Sequence, residues 1–214
     1  VQKSILVLIS GNGSNLQAVI DATESGQING RICAVISNKS TAFGLQRAQK
    51  HQIPAISLPH SDYPDRQLYD QALAEVIDRY QPDLIVLAGF MRILTAQFVA
   101  RYKGKLLNIH PSLLPKYQGL NTHQRALDAN DREHGASVHF VTEELDGGPV
   151  ICQVSILIDE KDTAETLAQR IHKQEHFIYP KAIEWFCQDR LKMESGRVWL
   201  DNNELPTTGI RYAE

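Results

Sequence analysis

Three stretches of the chain are apolar at every position: Ile5 to Ile9, Ile32 to Ile36 and Leu84 to Ala88. Unbroken short runs of this kind are the pattern of parallel strands covered on both faces. Between them the apolar spacing changes to that of a helix. Leu16 to Thr23 carries Leu16, Val19, Ile20 and Ala22 on one face, and Gly44 to His51 reads as a second helix. Pro54 to Leu58 reads as a short strand, and Asp62 to Tyr80 as a long helix on Ala72, Leu73, Val76, Ile77 and Tyr80, with Asp62 as N-cap and Pro64 in the first turn. Thr95 caps a helix to about Arg101, and Leu106 to His110 is a further buried strand. Strands alternating with helices predict an α/β fold with a mostly parallel central sheet and helices on both faces. The second half is mixed. A helix is expected from Thr122, strands at Ala136 to Thr142 and Val150 to Ile158, and a helix from Asp162-Thr163 to about Ile178, kinked or restarted by Pro180. In the tail Trp199 is the expected anchor and Asn202-Asn203 the expected turn.

Composition narrows the partners. The 214 residues hold 22 Lys and Arg against 25 Asp and Glu, with no long basic run. Neither a nucleic-acid groove nor an anionic membrane surface is indicated, and a small polar ligand is the default. Cys33, Cys152 and Cys187 are odd in number and widely spaced, which fits reduced thiols in a cytoplasmic setting. No stretch approaches a membrane span, and Ile5 to Ile9 is too short for a secretory leader.

Candidate chemistry centres on Leu106-Leu107-Asn108-Ile109-His110-Pro111. Alternation sends Asn108 and His110 to one face of the strand, and Pro111 ends the ladder there. An amide N–H beside an imidazole suits an oxygen that gains negative charge in a tetrahedral intermediate, while the plainer reading has both residues satisfying backbone groups. Ser10-Gly11-Asn12-Gly13-Ser14-Asn15 sits at a strand-to-helix turn, where a phosphate monoester or a plain tight turn both fit. A dinucleotide is disfavoured, because Leu16 holds the third glycine position and the second strand ends in Ser37-Asn38-Lys39 without an acid. Arg66, in a helix first turn, is either neutralised by Asp62 and Asp65 or faces an anionic ligand. Gly89 with Phe90 to Leu94 offers apolar walls for a flat heterocycle, or simply core. Asp146-Gly147-Gly148 permits a tight turn close to a ligand. His172-Lys173-Gln174-Glu175-His176 matches an inverted zinc-hydrolase spacing, with His123, His134, Glu165 and Glu184 as unplaced third ligands. Two partly exposed histidines on a polar helix face are the alternative.

Taken in order, Gly11 to Asn15, Ala88 to Arg92, Asn108 to Pro115, Glu144 to Pro149 and Gln174 to His176 resemble the folate-dependent formyltransferase family, most closely its glycinamide ribonucleotide branch. The resemblance covers almost the whole chain. It implies a single domain with a Rossmann-like formyltransferase fold, 1–104 forming a phosphate-binding half and 105–214 a catalytic and folate-binding half. It implies formyl transfer from 10-formyltetrahydrofolate, as co-substrate and without a metal, to the amine of glycinamide ribonucleotide in purine synthesis, by a monomer or homodimer. By the same resemblance Asn108, His110 and Asp146 are the catalytic trio, His110 donating a proton and Asp146 tuning it. Gly13, Ser14 and Asn15 hold the ribonucleotide phosphate, and His172, Lys173, Gln174 and Glu175 contact the same substrate. Arg66, Met91, Arg92, Ile93, Leu94, Asn108, Thr142, Glu143, Glu144, Leu145 and Asp146 line the folate site, with Glu143 to Gly148 its mobile loop. Some members carry Pro at the position of Gln118 and His at that of Asn121, so support from a histidine at 121 is absent here. The alternatives within the family are a formyltetrahydrofolate hydrolase, expected to carry an N-terminal regulatory domain, and a tRNA formyltransferase, expected to carry a C-terminal domain and a basic surface. The zinc hydrolase on His172, Glu175 and His176 and a non-catalytic nucleotide-binding module stand further off.

Overall fold

The computed structural model describes all residues, 1–214. Their contacts fall into two units, Val1–Asn108 and Ile109–Glu214. In the first, strands and helices alternate as β1 (Lys3–Ile9), α1 (Ser14–Glu24), β2 (Gly30–Ser37), α2 (Phe43–Lys50), β3 (Ala55–Ser57), α3 (Arg66–Tyr80), β4 (Leu84–Leu87), α4 (Ala96–Arg101) and β5 (Leu106–His110), the last running across the boundary. The sheet order is β5-β4-β1-β2-β3 and every neighbouring pair is parallel. Ile5 to Ile9 are fully buried, as an uninterrupted apolar run requires. Because β1 lies between β2 and β4, chain direction across the sheet reverses at β1. Loops at the carboxyl ends of strands beside such a reversal are where α/β sheets hold ligands.

The start of α3 departs from expectation. Asp62 closes a short 3₁₀ turn, His60–Asp62, and the α-helix begins only at Arg66. Tyr63 is extended, φ −120° and ψ 139°, because the ring of Pro64 bars the residue before it from helical angles. Asp65 is therefore the cap, accepting the Leu68 N–H at 2.8 Å. The Thr95 cap stands as expected, accepting from Phe98 N.

In the second unit α5 (Thr122–Asp128) precedes β6 (Glu133–Phe140) and β7 (Val150–Leu157), which pair antiparallel. Strand β6 starts three residues before the apolar signal, since Glu133, His134 and Gly135 pair with Leu157, Ile156 and Ser155. Helix α6 (Ala164–Cys187) follows, then β8 (Leu191–Glu194), β9 (Arg197–Leu200), β10 (Asn203–Glu204) and β11 (Ile210–Ala213). Strands β8 to β10 form a small antiparallel sheet, and β11 adds parallel to β7. Five parallel strands, β1 to β5, and a mixed set of three, β6, β7 and β11, give an α/β fold.

Two further expectations are corrected here. Helix α6 runs past the expected end near Ile178, with Pro180 inside it, to Cys187. One lost backbone bond is outweighed by the apolar face on either side, where Ile178, Tyr179, Ala182 and Ile183 are fully buried. In the tail, Leu191 and Val198 are the buried anchors and Trp199 is only half-buried. The turn falls at Asp201-Asn202, both with positive φ, and Asn203 already belongs to β10. No helix is long and apolar enough to cross a membrane.

Candidate active site

The glycine loop is shaped by main chain. Gly13 stands at the N-cap of α1 with φ 78°, and neither a capping side chain nor an acidic residue fills the first turn. The N–H groups of Ser14 and Asn15 thus begin a helix whose end favours an anion. Helix α2 braces the loop from one side: Gly44 N–H donates to the Gly11 carbonyl at 3.0 Å, and a Cβ on Gly13 would lie 2.8 Å from Gly44 Cα. Arg47 clasps Asn12 twice, Nε to its carbonyl at 2.8 Å and Nη2 to Oδ1 at 2.7 Å. Its guanidinium also lies 4.9 Å from the centre of the Phe43 ring.

After β4 the chain runs without regular structure from Ala88 to Thr95, yet it is pinned. Phe90 turns into the core, while Met91 and Ile93 stay 63% and 49% exposed, apolar side chains presented to whatever arrives. Arg92 stacks at 4.5 Å on the ring of Tyr69, and Leu94 is half-buried. Thr95 N–H donates to the buried Asp70 at 2.7 Å. Arg66 is exposed at the first position of α3, beside the Asp65 cap that offsets its unfavourable place at a positive helix end.

In the second unit the sequence-distant pair meets. His110 and Asp146 have side chains only 8% and 9% exposed, with Nδ1 and Oδ2 3.5 Å apart. The other imidazole nitrogen, Nε2, lies 2.8 Å from the Tyr117 carbonyl. A carbonyl only accepts, so Nε2 carries a hydrogen and Nδ1 is the atom turned to the carboxylate. Oδ2 of Asp146 also accepts the Gly119 N–H at 2.9 Å, and Gln118 donates to the Asp146 carbonyl at 3.3 Å. Asp146 holds φ 51°, unusual for a residue with a side chain. Gly148 makes this turn possible, since a Cβ there would fall 1.8 Å from the Phe140 carbonyl oxygen. Ahead of Asp146, Thr142 is half-buried and Glu143, Glu144 and Leu145 are exposed. Asn108 is half-buried on β5, two residues before His110.

The loop that follows β5 rests on a buried polar frame. Ser137 donates to the Ser112 carbonyl at 2.6 Å and accepts the Leu114 N–H at 3.0 Å, and Gln153 donates to the Leu114 carbonyl at 2.8 Å. On α6, Glu175 is buried and accepts from His172 Nδ1 at 2.7 Å. That hydrogen bond raises the pKa of His172 against the opposing effect of burial. Lys173 is exposed and Gln174 half-buried on the same helix. His123 Nδ1 and His134 Nε2 lie 3.1 Å apart, so one donates and the other accepts. Burial, with His123 adding to it, lowers the pKa of His134 to about 4. No three His, Cys, Asp or Glu side chains converge where they could hold a metal ion, and His172, His176 and Glu175 gather no third ligand.

A family model described as formyl transferase matches residues 3–183. The chain belongs to the formyl transferase family. A phosphoribosylglycinamide formyltransferase of Escherichia coli is 54% identical over 211 residues, covering 99% of this chain and all of the relative. One from Haemophilus influenzae is 48% identical, covering 97% and 98%. The solved structure of the Coxiella burnetii phosphoribosylglycinamide formyltransferase superposes with a TM-score of 0.95 at 51% identity, covering 99% of this chain and all of the other.

Sequence reasoning named His110, Asp146, His172 and Glu175, which the structure sets as two pairs, His110 with Asp146 and His172 with Glu175. It missed Tyr117 and Gly119, which act through main-chain atoms and so leave no mark in residue type. Arg47, Ser137 and Gln153 were also missed. Each meets its partner across sixteen or more positions, where no short motif extends.

Proposed function

We propose that this chain transfers the formyl group of 10-formyltetrahydrofolate to the amine of glycinamide ribonucleotide, a step of de novo purine synthesis. The observation that carries this reading is the His110 and Asp146 pair at the end of β5, in a chain about half identical to its named relatives along its whole length. Residues 1–104 form the phosphate-binding half and 105–214 the catalytic and folate-binding half. The glycine loop, through Gly13, Ser14 and Asn15, takes the ribonucleotide phosphate, and His172 to Glu175 contact the same substrate, the buried Glu175 offering a carboxylate to its amine or ribose. Arg66, Met91 to Leu94 and Thr142 to Asp146 form the formylfolate site.

The amine attacks the formyl carbon directly. Asn108 donates through its amide N–H to the oxyanion that forms, and His110 donates its Nε2–H, held by the Tyr117 carbonyl before substrate arrives, to the same intermediate. The proton lost by the attacking nitrogen passes to the leaving nitrogen with the help of Asp146. A covalent route through Ser112 is unsupported, because its hydroxyl is fully buried and donates to the Lys116 carbonyl at 2.6 Å. The chemistry calls for no metal. Unpaired, buried Cys33, Cys152 and Cys187 support a reducing, cytoplasmic setting.

The test is an assay of formyl transfer with and without glycinamide ribonucleotide, repeated with a chelator. Tetrahydrofolate is expected to form only with the ribonucleotide and at an unchanged rate in chelator. Release of formate without the ribonucleotide identifies a hydrolase, and loss of activity in chelator returns the metal reading.

A further inference from the structure

Beneath the apolar ledge at Met91 lies a buried relay that the proposed reaction leaves unused. Ser10 and Asn38 are 5% and 2% exposed, the first directly after β1 and the second directly after β2. Ser10 Oγ donates to Asn38 Oδ1 at 2.5 Å and accepts the Met91 N–H at 2.8 Å. A hydroxyl has one hydrogen. Once Asn38 takes it, only lone pairs remain to face Met91, so the direction of both bonds is set by the asparagine. His60 Nδ1 lies 3.2 Å from Asn38 Nδ2 and 3.1 Å from the Asn38 carbonyl, so the imidazole packs against the asparagine whichever of the two it bonds. The carboxyl ends of β1, β2 and β4 are neighbours in the sheet, and this relay ties together the loops that leave all three.

The consequence falls on Met91 and Ile93. Their side chains are only partly covered, so burial alone holds them weakly, and their segment lacks helix or strand. Besides the buried Phe90, three side-chain anchors hold the segment: Ser10 at the Met91 N–H, Tyr69 under Arg92, and Asp70 at the Thr95 N–H. The Ser10 anchor is the one that also opens the glycine loop, so it alone references the ledge to the phosphate site within this unit.

We propose that Ser10 is a positioning residue for the formylfolate site, its hydroxyl, aimed by Asn38, presetting the Met91 to Leu94 ledge before ligand binds. This rests on the reading of that ledge as a folate wall. Preorganisation of this kind appears in affinity for the ligand on the ledge and spares ligands held elsewhere.

The experiment compares wild type and Ser10→Ala, measuring tetrahydrofolate binding by fluorescence titration, ribonucleotide binding by calorimetry, and steady-state transfer. The expected result is tetrahydrofolate affinity and the KM for formylfolate weakened roughly tenfold, the scale of one lost hydrogen bond. Ribonucleotide affinity and kcat at saturation stay within about twofold. Asn38→Asp keeps an acceptor for the hydroxyl and restores most of the folate affinity that Asn38→Ala loses. Unchanged tetrahydrofolate affinity in Ser10→Ala overturns the proposal. So does equal weakening of both ligands, the result expected of a general loss of structure; ribonucleotide binding reports whether the variants are folded. If wild type itself binds no tetrahydrofolate, the functional reading beneath the proposal falls first.

Discussion

The loop after β1 and the loop after β5 both leave the carboxyl end of a parallel strand, and they are built from different materials. The first is main chain: Gly13 in a left-handed turn, an open helix end, and a brace from Gly44 and Arg47 on its outer side. The second is side chain: His110 against Asp146 at its start, and Ser112, Ser137 and Gln153 forming a buried frame under its course. Backbone N–H groups do not titrate, so the donors of the first loop keep their charge state across pH. Proton transfer needs groups that change charge, and these are costly to bury without partners. The second loop accordingly rests on side-chain partners, His110 on Asp146 and Ser112 on Ser137.

The sharpest break in this contrast is at Asp146. Asp146→Asn and Asn108→Ala are each expected to lower kcat by about 10² to 10⁴ while ribonucleotide affinity changes by about twofold or less. A loss confined to binding, read by single-turnover kinetics and titration, would place the chemistry elsewhere.

Next in size is the acid response of the second unit. His134 is neutral in the fold down to about pH 4, against 6.5 for the unfolded chain. As pH falls from 6.5 to 4 the unfolded state takes up the proton first, so stability declines across that window, levels below it, and is unaffected above 6.5. The full effect is on the order of 3 kcal/mol for this group. Urea unfolding of His134→Gln at pH 7 and pH 4.5 should show a shallower pH dependence than wild type; an equal slope would remove His134 as the cause.

Gly13→Ala tests the main-chain loop. Positive φ and the 2.8 Å approach to Gly44 Cα predict a loss of about 1 to 3 kcal/mol in stability, with ribonucleotide KM rising and kcat at saturation retained. A fall in kcat alone would make this loop part of the chemistry.

The smallest effect is at His172. Its pKa lies above 6.5 because Glu175 accepts from it, so the stability it adds is present below 6.5 and fades as pH rises through the folded value. The side chain is half exposed and the contribution is screened. Proton NMR titration of Glu175→Gln should bring the His172 pKa down; no movement would assign the shift to another neighbour.

Much of the frame was legible beforehand because it rests on local rules. Strand Leu106–His110 was read to the residue, since alternation and Pro111 mark both ends. The Thr95 cap followed from side-chain chemistry, its hydroxyl accepting the Phe98 N–H. At Asp62 a local rule was missed: Pro64 forbids a helix through Tyr63, and Asp65 takes the cap. At Pro180 the local rule was overridden, because packing on both sides of the proline holds α6 together.

By itself, the sequence determined the alternation of strands and helices, the face shared by Asn108 and His110, and, through its motifs, the family. These depend on neighbours within a few positions along the chain, where covalent geometry limits the choices. Only the tertiary structure decided that Asp146 lies 3.5 Å from His110, that the Tyr117 carbonyl meets the imidazole, and that Ser10 holds Met91 from 81 residues away. Such contacts form between atoms brought close by burial of the apolar runs. Several are made by main-chain groups that every residue carries, so no residue type announces them.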